Sequence, residues 1–449
     1  MLPDGVLLEI FDFYVDQEKI EAWQTLAHVG HRWRTVVFES PRRLNLRLVC
    51  TPGTPARNTL GVWPALPLFI EYSTVYPIEN VDNIVAALER RNRVRQISLR
   101  VVSISDLEDV LAAAQKPFPE LTYLGLLLDH DEAVAVLPDS FLGGSAPHLR
   151  TLSFRRISFP SLPKLLLSAT HLVDLYLYDI PHSGYFSPDA MVTALSALTN
   201  LAILELDFQS PRSCPDRASH RPPPLTRLIL PVLTHFWFKG VGEYLDDLVA
   251  CTNAPRLLLF HIIFFNQIVF DSPQLIQFIS RTPILEDLEN ARVTFKHGAA
   301  VVNLSSKTVA SDCGDLEIKI PCEKLDWQVS SVEQVCTSCL PPLSMLEVLC
   351  IFGSPSWKSE NQDNIENTLW LELLQPFGTV KELYLSKEFA PRIAPALQEL
   401  VEGGTTEVLP ALQNIFLEVL IPTQEGIEQF VTMRQASYPI TVSRCKKIS

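Results

Sequence analysis

An α/β repeat fold, preceded by a small all-helical segment, is what this sequence predicts, and three observations predict it. A strand pattern L-x-x-L-x-L recurs ten times along most of the 449 residues. The stretches between successive copies carry helical periodicity and helix-start signals. The first forty-odd residues instead hold three short helical patterns and no copy of the strand unit.

The N-terminal segment reads LPDGVLLEIFDFYVDQEKIEAWQTLAHVGHRWRTVVF over residues 2–38. Leu7, Ile10, Phe11 and Tyr14 stand at i, i+3, i+4 and i+7, the spacing of one helical face. A second helix is predicted over Glu18 to Val29, offering Ile20, Trp23, Leu26 and Ala27, and a third over Arg32 to Phe38, offering Trp33, Val36 and Val37. A segment of this size is near the lower limit for folding alone, so its apolar faces must be covered by another part of the chain or by a partner.

Leu2-Pro3, Leu7, Ile10-Phe11, Val29 and Arg32-Trp33-Arg34 occur in that order. With these landmarks the segment resembles the F-box, whose pattern is a Leu-Pro start, apolar residues at helical spacing and a late Arg-Trp-Arg. The run Arg32 to Leu48 is similar to F-box proteins of mushroom-forming fungi, in which leucine-rich repeats follow. The resemblance implies a non-catalytic receptor subunit of a Skp-cullin-F-box ubiquitin ligase. Leu2, Pro3, Leu7, Ile10, Phe11 and Trp33 would bind a Skp-family adaptor, and through it a cullin. Two positions depart from the family pattern: Gly5 stands where Glu is usual, and Gly30-His31 where Cys-Arg is common. A repeat scaffold that no longer binds the adaptor is the alternative reading.

The strand units begin at Val94, Leu121, Leu149, Leu172, Leu201, Leu233, Leu257, Leu346, Val380 and Leu412. Start-to-start spacings over the first five are 27, 28, 23 and 29 residues, in or near the range of leucine-rich repeats. Residues one, four and six of each unit should enter the core, where each buried Leu contributes about 1.5–3 kcal/mol. A further match at Leu225 lies too close to Leu233 for a helical return between them, and Leu233 is taken as the rung because the helix Glu243 to Cys251 follows it.

Between the strands, helices are expected over Ser105 to Gln115, Asp189 to Leu198, Glu243 to Cys251, Gln274 to Arg281, Ser331 to Cys339, Thr368 to Gln375, Pro391 to Val401 and Gln424 to Gln435. Ser105-x-x-Glu108 reads as a capping box, and Ser187-Pro188 as a helix start. Residues 282–330 are less repeat-like and suggest a small antiparallel excursion. The expected organisation is therefore residues 1–45 as the helical segment, 46–93 as a connector and first repeat, and 94–449 as an irregular leucine-rich-repeat arc. Loops are expected at Pro211 to Pro224 and Gly353 to Asn364.

Alternation along the strands places a second set of side chains outward, on the default docking face of a repeat sheet. Arg100 and Arg155 give it a basic entry, and Tyr176, Tyr178, Glu205, Asp207 and Trp237 an acidic and aromatic centre suited to gripping a protein substrate.

Formal net charge is −14 and the sequence pI about 5.2, which argues against a nucleic-acid partner. Hydrophobic residues make up 47% and the mean hydropathy is +0.15, so a large core is expected. The most apolar run, Leu257 to Phe270, is too short and too interrupted for a membrane span. No secretory pattern opens the chain, so a cytoplasmic or nuclear protein with reduced thiols is expected. Cys313, Cys322 and Cys336-x-x-Cys339 come nearest to a metal site, but one C-x-x-C without a second pair fits two buried helix thiols equally well. No phosphate-cradling loop or nucleophile elbow occurs, so neither a catalytic residue nor a cofactor is expected.

Overall fold

The computed structural model describes all residues except 1, 16–21, 42, 73–80, 102–103, 129–133, 211–225, 266–268, 307–314, 354–364, 404–407, 419–424, 435–438 and 446–449. The predicted loop Pro211 to Pro224, residues 354–364 of the second loop, Ile20 and Cys313 lie outside the described residues. The chain divides into two compact units. One comprises residues 1–186 and 193–201, the other 187–192 and 202–449.

In the first unit the three N-terminal helices are α1 (Asp4–Val15), α2 (Ala22–Val29) and α3 (His31–Glu39). Beside the short pair Ala135–Val136 and Ile157–Ser158, the strands of the main sheet here are β1 (Leu48–Cys50), β2 (Leu68–Tyr72), β3 (Val94–Val101), β4 (Tyr123–Leu128), β5 (Thr151–Arg155) and β6 (Asp174–Ile180). They pair in chain order, each parallel to the last. The returns are made by α4 (Ala56–Val62), α5 (Val81–Leu88), α6 (Ile104–Ala113) and α7 (Leu162–Ser168). Residues 46–93, expected to carry one repeat, thus carry two strand–helix rungs. Helix α8 (Pro188–Leu195), whose residues divide between the two units, is held at its start by the Ser187 hydroxyl, which accepts from the Ala190 amide at 3.2 Å. The capping box is corrected: Ser105 sits inside α6 rather than ahead of it.

The second unit holds β7 (Ile203–Phe208), β8 (His235–Gly240), α9 (Gly242–Ala250), β9 (Leu259–Phe264), α10 (Pro273–Ser280) and α11 (Pro283–Glu286). Next come β10 (Asn290–Lys296), β11 (Ala299–Ser305), β12 (Leu316–Pro321) and α12 (Leu325–Ser338). Then strand and helix alternate through β13 (Val348–Gly353), α13 (Asn367–Leu374), β14 (Glu382–Leu385), α14 (Ala390–Gly403), β15 (Asn414–Glu418), α15 (Glu425–Arg434) and β16 (Thr441–Cys445). Leu233 is the rung: β8 starts two residues after it, while Leu228–Ile229 pairs with Thr252–Asn253 instead.

The strand order here is β7-β8-β9-β12-β11-β10-β13-β14-β15-β16. The expected antiparallel excursion is antiparallel, but it belongs to the sheet itself. β12 pairs parallel with β9, β11 pairs antiparallel with both β12 and β10, and β10 pairs parallel with β13. α12 lies over this insertion and begins six residues earlier than its periodicity suggested. Its Gln328 side chain, fully buried, donates to the carbonyls of Lys296 at 3.1 Å and Cys322 at 2.6 Å. Those bonds tie the helix to the hairpin turn and to the end of β12.

The core follows the strand unit in both units. Leu149, Leu152 and Phe154 are buried, as are Leu172, Leu175 and Leu177, and in the second unit Leu233, Phe236 and Phe238. The same one-four-six positions are buried at Val380, Leu383 and Leu385 and at Leu412, Ile415 and Leu417. Parallel strands buried beneath returning helices leave only the intervening residues to face outward.

Candidate functional site

Helix α1 is apolar on two adjacent stripes, and the structure separates them. Leu7 and Phe11 point inward, 3% and 0% exposed, with the Phe11 ring 4.8 Å from that of Trp33. Both side chains therefore hold the helices together. The outward stripe is Leu2, Val6, Ile10, Phe13 and Tyr14, with Ile10 46% and Phe13 70% exposed. Val29, at the end of α2, is also bare. Of the six residues the resemblance proposed, Leu2, Pro3 and Ile10 are exposed, Trp33 is half-buried, and Leu7 and Phe11 lie inside. Sequence reasoning missed Val6 and Phe13, whose spacing to Ile10 is itself helical.

The chain fixes this helix in place. The Arg32 guanidinium donates to the Asp4 carboxylate and the Leu2 carbonyl, and Arg43 pairs with Glu9 and Asp12. The Pro3 carbonyl accepts from the amides of Val6 and Leu7, both at 3.1 Å, opening the first turn. On the other side of the bundle, Trp23 donates from its indole to the Arg47 carbonyl at 3.0 Å and packs edge-on against Trp63 and Phe38. One side of the bundle is thus cemented to the first rung, and the Leu2-to-Tyr14 stripe is left uncovered.

Gly5, the departure from the F-box pattern, has open space where a Cβ would stand. Gly5→Ala is expected to stabilise α1 by about 0.5–1 kcal/mol, because alanine loses less backbone entropy in a helix. A rise in the thermal midpoint of the purified protein checks this.

In the first unit the outward strand residues include Arg100, Arg155, Tyr176 and Tyr178. Arg100 is exposed. Arg155 is ion-paired with Asp179 at 3.1 Å. The Tyr176 and Tyr178 rings stack at 6.0 Å with planes 16° apart, forming an aromatic shelf. On the same face the Tyr123 ring lies over Gly125, where a Cβ would come within 3.1 Å of it.

In the second unit Glu205 and Trp237 are half-buried register partners, and Trp237 in turn faces His261. Asp207 is a different case from its prediction: it is buried and its carboxylate meets the Lys239 ammonium at 2.9 Å. Its charge is compensated within the sheet. Farther along, Tyr384 and Phe416 stack at 4.3 Å, a pair not singled out in the sequence.

Cys336 and Cys339 are buried, and burial pushes the Cys336 thiol well up and that of Cys339 up to about 12. A thiol so shifted carries almost no thiolate at neutral pH, the form that attacks or ligates. Among the described residues no group of three His, Cys, Asp or Glu side chains is placed to hold a metal ion. Among them, too, no helix is long and apolar enough to cross a membrane.

No protein-family model matches the sequence, and no curated protein matches it. Among solved structures the chain is similar to the leucine-rich repeat-containing protein LegL7 from Legionella pneumophila, with 11% identity, 88% of this chain and 99% of that chain covered, and a TM-score of 0.28. The repeat architecture stands instead on this chain's own strand order, register and buried one-four-six positions.

Proposed function

We propose that this protein is a non-catalytic receptor that joins a Skp-family adaptor to a protein substrate, and through that adaptor to a cullin-based ubiquitin ligase. The observation that carries this reading is the uncovered apolar stripe of α1. Five large side chains in adjacent turns, held in a fixed orientation by Arg32 and Arg43, make a surface that water disfavours and that a complementary protein would cover. The Leu2-Pro3 start and Arg32-Trp33-Arg34, which the F-box resemblance rests on, frame the same helices. On this reading adaptor contact falls on Leu2, Pro3, Val6, Ile10 and Phe13, with Leu7 and Phe11 shaping the helix from beneath.

Substrate docking is assigned to the outward strand residues. Tyr176 and Tyr178 in the first unit, and Glu205 and Trp237 in the second, supply the aromatic and charged types that dominate protein interfaces. Catalysis belongs to the other subunits; the receptor contributes proximity.

Co-purification with a Skp-family adaptor tests the reading. Wild type is expected to bind, and Ile10→Asp with Phe13→Asp to weaken binding by at least about tenfold, since a desolvated apolar anchor is worth roughly 2 kcal/mol or more. Both positions are exposed, so the circular dichroism spectrum should be unchanged. Failure of the wild type to bind, or equal binding by the double variant, favours the alternative of a repeat scaffold without an adaptor.

A further inference from the structure

Stacked repeats bring equivalent positions side by side at the strand spacing of about 4.8 Å. In the first unit the Arg150 carbonyl accepts from the amides of Val173 and Asp174, just as the Thr122 carbonyl accepts from Arg150 and Thr151. By that register, the residues before the rung leucines Leu121, Leu149 and Leu172 are equivalent. They are Glu120, His148 and His171. Glu120 is paired with Arg95 at 3.6 Å. The two imidazoles are exposed neighbours, with ring centres 5.8 Å apart and planes tilted by 42°.

His171 is oriented further. Its Nδ1 lies 2.9 Å from the Pro147 carbonyl, an oxygen that can only accept. Nδ1 therefore carries the proton in the neutral ring, and Nε2 holds the lone pair. A ring nitrogen bonded to a backbone carbonyl, with the other left free, is the arrangement that fixes metal-binding histidines elsewhere.

We propose that His148 and His171 form a surface site for one divalent late-transition metal cation, of the Cu2+, Ni2+ or Zn2+ class. A metal about 2.0–2.1 Å from each nitrogen holds two ring centres roughly 4.6–5.3 Å apart at square-planar or tetrahedral angles. The observed separation exceeds this by about 0.5–1.2 Å. Small side-chain rotations of two exposed residues close it, and water fills the remaining positions. Linking both ligands to one rigid sheet makes the second bond intramolecular, which raises affinity above that of a lone imidazole.

Calorimetric titration of the tag-free full-length chain with CuCl2, NiCl2 and ZnCl2 tests this, with electron paramagnetic resonance on the copper sample. The expected result is one equivalent bound, Cu2+ more tightly than Ni2+ or Zn2+, with couplings from two imidazole nitrogens. His148→Ala and His171→Ala should each weaken binding by about tenfold or more, and His297→Ala should leave it unchanged. Absence of binding to the wild type, or binding that survives the His148→Ala/His171→Ala double substitution, overturns the proposal.

Discussion

Trp23→Ala is expected to cost about 3–5 kcal/mol and to release the three N-terminal helices from the rung that follows them. The indole is fully buried, with the Trp63 ring 5.3 Å and the Phe38 ring 6.1 Å away. Its removal opens a cavity at that seam and leaves the Arg47 carbonyl without its donor. Trp23→Phe keeps most of the packing and loses the hydrogen bond alone, so roughly 1–2 kcal/mol is expected. Urea denaturation measures both costs, and limited proteolysis shows where they fall. For the alanine variant, early cleavage should cluster within residues 1–45. An unchanged denaturation midpoint would mean that this seam does not hold the bundle.

Asp246→Ala is expected to destabilise the second unit by about 2–4 kcal/mol. Asp246 lies on α9 and is 3% exposed, and its carboxylate reaches the next helix. Oδ1 accepts from the amides of Gln274 at 2.8 Å and Leu275 at 3.0 Å, the first turn of α10. Ser272, at the N-cap of α10, makes no side-chain capping bond, so the cap is supplied from the neighbouring repeat. A negative charge there also meets the positive end of the helix dipole. Alanine would leave the part-buried Gln274 amide and the buried Leu275 amide without this acceptor, whereas Asp246→Asn keeps an acceptor and should lose only about 1 kcal/mol. Chemical denaturation gives the size, and faster hydrogen exchange at Gln274 and Leu275 would locate the loss.

The rungs were legible because the strand unit places a large apolar side chain at fixed positions, and each of those side chains is buried. Leu233 could be chosen over Leu225 because only eight residues separate them and the helix Glu243 to Cys251 follows Leu233. The three N-terminal helices were legible from their periodicity, but the facing of α1 was not. Leu7 lies only about 60° and Phe11 about 100° round the helix from Ile10, so a pattern of apolar residues cannot say which stripe is covered. Asp207 looked like a surface acid because its partner, Lys239, comes from the next strand. Asp246 as a remote cap was invisible for the same reason: the bond joins residues 28 positions apart. β16 escaped notice because its sequence, Thr-Val-Ser-Arg-Cys, lacks the leucines of the unit and pairs as an edge strand through its backbone.

The hairpin of β10 and β11 followed by β12 changes what can be cut from the second unit. In a tandem array a single strand and its helix can be removed, and the neighbours close up with their directions preserved. Here β10 stands three places beyond β9, and the two intervening places are filled only when the chain doubles back. Deleting β11 alone would leave β10 and β12 parallel, a pair that no hairpin turn can join, and would take away the turn beside Lys296 to which Gln328 is anchored. The smallest excisable module is therefore the whole span from α10 through α12, and genetic shuffling of this protein should respect it as one indivisible block.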